Sequence, residues 1–116
     1  MTFYNDACDC DPHLISMQRF HQAHPEVRVL AIDSFTGSNP VRNVVESLGL
    51  TYDVGVDQLG RIAQSFAEPS ALPFTVMLAP DGRVLSVVDG PLDDAGFESL
   101  LRDGLAQESL PVDPYG

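Results

Sequence analysis

Apolar positions along the chain alternate between short continuous runs and helical spacing, which predicts a regular succession of strands and helices. The short runs, mostly apolar and bounded by turn residues, lie at residues 2–4, 27–32, 52–56, 74–78 and 83–88. The run at 27–32 is rich in β-branched residues and suits a strand buried on both faces of a sheet. The pattern therefore predicts five strands.

Helical spacing fills the segments between these strands. Asp11 at the N-cap and Pro12 at the first helical position mark one helix start, and that helix ends before His24-Pro25. Four apolar stripes have helical spacing: Leu14, Met17 and Phe20; Val41, Val44, Val45 and Leu48; Ile62, Ala63 and Phe66; Phe97, Leu100, Leu101 and Leu105. The order β-α-β-α-β-α-β-β-α predicts an α/β fold with a parallel core, right-handed crossovers and an antiparallel hairpin at the edge.

The length of 116 residues suits one domain, which we place at residues 1–105. The tail 106–116 holds two prolines and no periodicity, and is expected to fray. No apolar run approaches the roughly 18 residues of a membrane-spanning helix. The first residues lack the features of a signal peptide. We therefore expect a cytoplasmic protein, or an extracytoplasmic one if a targeting segment has been removed.

The charge of the chain bounds its partners. The net charge is −11, and all six basic residues are arginine. Without a basic patch, the release of counterions that drives nucleic-acid binding is missing, and an anionic membrane surface repels the protein. We expect a soluble monomer that binds neither nucleic acid nor membrane. Docking of a basic partner on the acidic surface is the alternative.

The two cysteines, Cys8 and Cys10, are separated only by Asp9. A pair so close cannot link distant parts of a fold, so a redox or metal-binding role is indicated. With His13 the pair forms a C-x-C-x-x-H cluster, whose sulfur and imidazole ligands suit copper(I) or zinc. Structural zinc sites take four ligands, and a fourth is not evident. Both hypotheses stay open from the residues alone.

Three segments resemble the thioredoxin superfamily, within it the redoxin branch of secreted thioredoxin-like reductases of the cytochrome-maturation type and their peroxiredoxin relatives. The first segment is FYNDAC at residues 3–8, similar to the strand, aromatic pair and nucleophilic cysteine of the family. The second is YDVGVDQLGRIAQSF at 52–66. The third is LPFTVML at 72–78, followed by PDGRV at 80–84, and resembles the cis-proline strand and its hairpin. The match covers residues 2–105.

The resemblance implies a thioredoxin-like fold with a central mixed sheet and a C-terminal hairpin and helix. It implies thiol-disulfide exchange with Cys8 as the attacking thiol, Cys10 as the resolving thiol, and no organic cofactor. Pro73 would be the cis-proline that, with Leu72, binds the substrate chain. The partner would be a protein thiol or disulfide, or a small thiol. A metal-binding or catalytically inactive interaction module is the alternative.

The residues around the dithiol depart from the family. Its members place two residues between the cysteines and a tryptophan before the first, whereas this chain has Asp9 between them and Ala7 before them. The neighbouring carboxylates of Asp6, Asp9 and Asp11 predict a raised thiol pKa. The one-residue spacing predicts a tight disulfide ring that is easier to reduce, and hence more oxidising.

Overall fold

The elements are seen in a computed structural model that describes residues 1–5, 8–34, 38–57, 59, 61–62 and 72–108. These residues contain five strands and three helices: β1 (Thr2–Tyr4), α1 (Asp11–Ala23), β2 (Leu30–Ser34), α2 (Ser38–Leu48), β3 (Asp53–Asp57), β4 (Phe74–Leu78), β5 (Val84–Asp89) and α3 (Asp94–Glu108). Within this part of the chain, no helix is both long and apolar enough to cross a membrane.

The strands form one mixed sheet in the order β3-β2-β1-β4-β5. β1, β2 and β3 run parallel, whereas β4 is antiparallel to β1 and β5 is antiparallel to β4. The predicted mixed α/β sheet with a C-terminal hairpin and helix is confirmed. The parallel part ends at β1, because β4 reverses direction there. The short strand β1 lies at the centre, with Thr2 level with Ala31 on one side and Thr75 on the other.

Element boundaries differ from the prediction where pairing partners are missing. The strand predicted at 27–32 starts instead at Leu30, because Leu30 is level with Asp53, where β3 begins, and Ala31 is level with Thr2, where β1 begins. Residues before Leu30 have no neighbouring strand to pair with.

Two further expectations concern segments that the structure describes only in part. Arg61 and Ile62 are helical, and the rest of the predicted short helix lies outside the described residues. α3 continues to Glu108, past the predicted domain boundary at Leu105. The remaining tail, 109–116, also lies outside the described residues, so its fraying stays a prediction.

The core lies on both faces of the sheet, since strand side chains alternate between faces. On one face, Tyr4 of β1 packs with Leu14 and Met17 of α1 and with Phe97 of α3. On the other face, the buried side chains are Phe3, Ile32, Phe74 and Val76. The rings of Phe3 and Phe74 stack with their centroids 4.7 Å apart. Packing on both sides of β1 fixes the point from which the cysteine loop leaves the sheet.

α1 and α3 also meet through polar pairs at the surface. Arg19 donates from Nε to both carboxylate oxygens of Asp94, at 3.0 and 2.9 Å. His24 and Glu98 are joined at 2.7 Å between Nε2 and Oε1. Exposed pairs of this kind add little to the stability of a fold, because water and salt screen them. The apolar contacts beneath them, centred on Phe97, hold the two helices together.

Candidate functional site

A disulfide joins Cys8 and Cys10 in the loop between β1 and α1. Their Cα atoms are 5.2 Å apart, within the roughly 4.4–6.8 Å that a disulfide allows, so the backbone does turn at Asp9. Cys10 is the N-cap of α1, and its carbonyl oxygen accepts a hydrogen bond of 2.9 Å from the N–H of Leu14. The N-cap is thus one residue earlier than the predicted Asp11, so Cys10 lies at the N-terminus of the helix.

The two sulfur-bearing residues differ in exposure. Cys10 is only 2 % exposed and belongs to the buried cluster around Tyr4 and Leu14. Cys8 is partly exposed and packs at the margin of the same cluster. An incoming thiolate therefore reaches the sulfur of Cys8 more readily than that of Cys10, which is the division of roles that the resemblance implies.

Asn5, the residue that follows β1, contacts Cys8 at three points. Its Oδ1 accepts a hydrogen bond of 2.9 Å from the N–H of Cys8. Its own N–H donates to the Cys8 sulfur at 3.4 Å, and its carbonyl oxygen lies 3.0 Å from that sulfur. The sequence motifs did not single out this residue. The signal was available, because an asparagine side chain that caps the backbone a few residues on is a frequent turn device.

His13 lies in the first turn of α1 and is 1 % exposed. The N–H of Leu92 donates to its Nδ1 at 2.8 Å. A backbone N–H can only donate, so Nδ1 is the acceptor and the neutral ring carries its proton on Nε2. That Nε2 lies 3.1 Å from Oγ1 of Thr2, which lies 2.8 Å from Oγ1 of Thr75. His13 thus links α1 to β1, β4 and the loop before α3.

This environment does not favour the metal-binding hypothesis for Cys8, Cys10 and His13. Both ring nitrogens of His13 are engaged with other protein groups, and the two sulfurs are joined to each other. Among the described residues, no three cysteine, histidine, aspartate or glutamate side chains are grouped so as to hold a metal ion. Burial lowers the pKa of His13 to about 4, so the ring is neutral at physiological pH.

The peptide bond between Leu72 and Pro73 is cis, as the resemblance to the cis-proline strand predicts. Pro73 directly precedes Phe74, which is level with Phe3 of β1. It therefore lies at the end of β4 that is nearest Tyr4 and the start of the cysteine loop. The carbonyl oxygen of Pro73 accepts a hydrogen bond of 2.8 Å from the N–H of Gly90. The role of Leu72 and Pro73 in substrate binding stays a prediction.

An open, mostly apolar cleft of about 320 Å³ lies beside the start of α1. It separates the first turns of that helix from the loop between β5 and α3, and its lining residues are Pro12, His13, Ser16, Pro91, Leu92 and Asp93. Because α1 begins directly after Cys10, the cleft opens on the same end of the molecule as the disulfide. Asp93 at its edge is the cap of α3, since its Oδ1 accepts from the N–H of Gly96 at 2.8 Å.

Four carboxylates near the cysteines have different surroundings. Asp9 and Asp11 are exposed, and Asp6 lies outside the described residues. Asp33 is fully buried at the end of β2, level with Tyr4. Asp9 and Asp11 are the groups expected from the sequence to raise the thiol pKa, and their exposure makes that effect dependent on salt.

Changing Asp9 and Asp11 together to asparagine is expected to speed alkylation of reduced Cys8 at neutral pH and low salt. Two nearby carboxylates at a surface-like dielectric each raise the pKa of a thiol by up to about one. The difference from wild type should shrink in 0.5–1 M salt, roughly where the screening length falls to about 3–4 Å. Rate profiles against pH at both salt concentrations test this. Identical profiles at low salt would show that the two side chains do not act on the thiol.

The five-stranded sheet, the flanking helices and the dithiol before α1 define a protein of thioredoxin-like fold. No family sequence model matches the chain, and a sequence search of curated proteins finds no match. Among solved structures, the chain is similar to StoA from Bacillus subtilis, with 19 % identity over 86 % of this chain and 78 % of that chain and a TM-score of 0.73.

Two other solved structures resemble it to a similar degree. One is a secreted disulfide oxidoreductase of Mycobacterium tuberculosis, homologous to DsbE of E. coli, with 21 % identity over 90 % of this chain and 78 % of that one and a TM-score of 0.73. The other is a putative thiol:disulfide interchange protein DsbE from Chlorobium tepidum, with 16 % identity, coverage of 91 % and 76 %, and a TM-score of 0.78. These similarities show that the chain shares the fold of these proteins.

Proposed function

We propose that the chain is a thiol-disulfide oxidoreductase that exchanges its Cys8–Cys10 disulfide with a partner protein thiol or a small thiol. The observation that carries the proposal is the asymmetry of the pair, with a partly exposed Cys8 joined to a buried Cys10 at the start of α1. Solved structures that share the fold include a secreted disulfide oxidoreductase and a putative thiol:disulfide interchange protein. The direction of exchange is set by the partner's potential.

In the oxidising direction, the thiolate of a partner attacks Sγ of Cys8. The Cys8–Cys10 bond breaks, a mixed disulfide forms between Cys8 and the partner, and Cys10 leaves as a thiolate. A second partner thiolate then attacks the mixed disulfide and releases Cys8. The partner loses two electrons and gains a disulfide, and the two cysteines of this chain gain those electrons. Cys10 leaves at the N-cap of α1, where the partial positive charge of the helix favours an anion.

The substrate chain would bind beside Pro73 and Leu72. The Pro73 carbonyl is already bonded to Gly90, so a strand added there would pair with the main chain of Leu72. The cleft between Pro12 and Leu92 offers an apolar position for a neighbouring substrate side chain. A partner bound in this way would present its reactive sulfur to Cys8, the more exposed of the two cysteines.

The test is capture of a mixed disulfide. Cys10→Ser leaves Cys8 without its resolving thiol. The Cys8 thiolate should therefore attack oxidised glutathione or a disulfide-bonded peptide, release one thiol and accumulate the mixed disulfide, detected by mass. Cys8→Ser should accumulate far less, because the remaining thiol is buried. Wild type should complete the exchange through Cys10 and should not accumulate a mixed disulfide. Equal amounts of mixed disulfide in both variants would contradict the roles assigned to Cys8 and Cys10. If no variant forms a mixed disulfide and wild type does not exchange thiols, the proposed function is wrong.

The pair is expected to be more oxidising than a standard thioredoxin, whose potential is about −270 mV. The reason is the spacing: a single residue between the cysteines closes a smaller ring than the two residues of the family. Equilibration with glutathione followed by thiol trapping measures the potential. Insertion of one alanine after Asp9 is the matched control and should lower it. A wild-type value at or below that of thioredoxin contradicts the prediction.

A further inference from the structure

We propose that Asn5 is a positioning residue that holds the Cys8 sulfur against the carbonyl oxygen of Asn5. Reduction of the disulfide then yields Cys8 as a protonated thiol. The inference concerns the protonation of Cys8 and rests on the proposed function only for its biological use. It starts from the three contacts between the two residues, which come from the side chain, the N–H and the carbonyl of Asn5.

The side chain of Asn5 anchors Cys8. Its Oδ1 accepts from the N–H of Cys8 at 2.9 Å, which links the residue after β1 to the first cysteine. β1 is packed on both faces, so Asn5, the residue after it, is held in place. The hydrogen bond from Cys8 to Asn5 therefore restrains Cys8 as well. The sulfur is thereby kept beside the backbone of Asn5.

The two backbone contacts act on different protonation states. The carbonyl oxygen, at 3.0 Å from the sulfur, is an acceptor that only a protonated thiol can use, whereas the N–H at 3.4 Å favours a thiolate. The acceptor is the nearer group. When a partner dithiol reduces the disulfide and supplies two electrons, Cys8 takes a proton from solvent, and this carbonyl is the acceptor next to it.

The ionisable groups near Cys8 do not favour its thiolate form. The ionisable side chains on the elements around Cys8 include Asp9 in the loop, Asp11 and His13 at the start of α1, Tyr4 of β1, Asp33 of β2, and Asp93 before α3. None carries a positive charge at neutral pH, since the pKa of His13 is lowered to about 4 by burial. Arg19 lies further along α1 and is paired with Asp94, and burial lowers the pKa of the Met1 amino group to about 6, so neither is a free cation at neutral pH.

The consequence is a thiol that ionises reluctantly, so Cys8 attacks slowly once reduced. Stabilising the protonated, reduced form also favours reduction of the disulfide at neutral pH. Asn5 would thus bias the pair toward accepting electrons from a partner. This bias is set by the loop geometry and is separate from the effect of the one-residue spacing.

The experiment measures the pKa of Cys8 in the reduced full chain, from iodoacetamide alkylation rates against pH, with the labelled cysteine identified by fragment-ion mass spectrometry. Asn5→Ala removes the anchor and should lower the pKa, so that alkylation at pH 7 becomes about three- to tenfold faster, the effect of one ordinary hydrogen bond. Asn5→Asp keeps an oxygen acceptor for the Cys8 N–H and should not lower the pKa. Asn43→Ala, at an exposed position of α2, is the matched control and should match wild type.

An unchanged or raised pKa in Asn5→Ala would overturn the inference, and so would an equal fall in Asn5→Asp. Circular dichroism of each variant confirms that the fold is retained, and Asn5→Ser, which keeps a shorter acceptor, replaces any variant that is unfolded. No redox partner is present in the assay, so the result is independent of exchange activity. Failure of the mixed-disulfide experiment would therefore not alter this outcome, nor the reverse.

Discussion

Wild type should lose about 3 kcal/mol more stability between pH 7 and pH 4 than a His13→Gln variant. The pKa of His13 is lowered from 6.5 to about 4, chiefly by burial, and a pKa that differs by one between the folded and unfolded chain corresponds to about 1.4 kcal/mol. Between pH 6.5 and pH 4, the unfolded chain therefore binds a proton at His13 that the folded protein does not bind. The stability tied to His13 is complete above pH 6.5 and is lost as the pH falls from 6.5 toward 4.

Urea unfolding of the oxidised proteins, followed by circular dichroism at steps between pH 4 and pH 7.5, measures this difference. Glutamine keeps an acceptor for the Leu92 N–H and a donor for Thr2, but does not titrate in this range. His24→Gln is the control with the opposite sign, because its bond to Glu98 raises the pKa of His24 and that stability is lost as the pH rises. Parallel curves for wild type and His13→Gln would contradict the buried neutral imidazole.

Phe97→Ala is expected to lower the free energy of unfolding by about 3–5 kcal/mol, the usual cost of emptying a buried phenylalanine site. Phe97 is 2 % exposed, and its ring centroid lies 5.0 Å from that of His13 and 5.6 Å from that of Phe20. It joins α3 to the face of α1 that carries the dithiol at its start. A loss of this size removes a large part of the roughly 5–15 kcal/mol that stabilises an ordinary domain.

The matched control for Phe97 is Leu105→Ala on the same helix, where the leucine is 53 % exposed and the expected cost is about 0.5 kcal/mol. Urea midpoints and slopes for both variants give the comparison. Similar costs for the two substitutions would show that α3 is not held to α1 through Phe97. A smaller loss for Phe97→Leu than for Phe97→Ala would assign the effect to packed volume.

Local patterns predicted most of the fold because they record local physics. The start of α1, within one residue of the predicted cap, follows from the proline in its first turn, and the full span of β4 follows from an apolar run. The boundary of β2 was missed by three residues at its start, because strand ends depend on the length of the neighbouring strands. Leu30 begins the strand only because β3 begins level with it.

The sequence indicated the two cysteines of the candidate site but not the residues that surround them. Cys8, Cys10 and the cis bond before Pro73 were indicated by short motifs. The role of His13 was not, since its partner Leu92 is 79 residues away in the chain and contributes a main-chain group that no residue type reveals. His13 directly precedes Leu14 of the predicted apolar stripe, and both side chains are buried.

The central position of the short strand β1 has a consequence for synthesis on the ribosome. Thr2 pairs on one side with Ala31, and on the other its hydroxyl meets Thr75, which is 73 residues further along the chain. The strand that leads into the cysteine loop is therefore synthesised well before β4, the second strand that pairs with it. During that interval the fold does not yet hold the two thiols, and the redox state of the surrounding thiol pool decides whether they are joined.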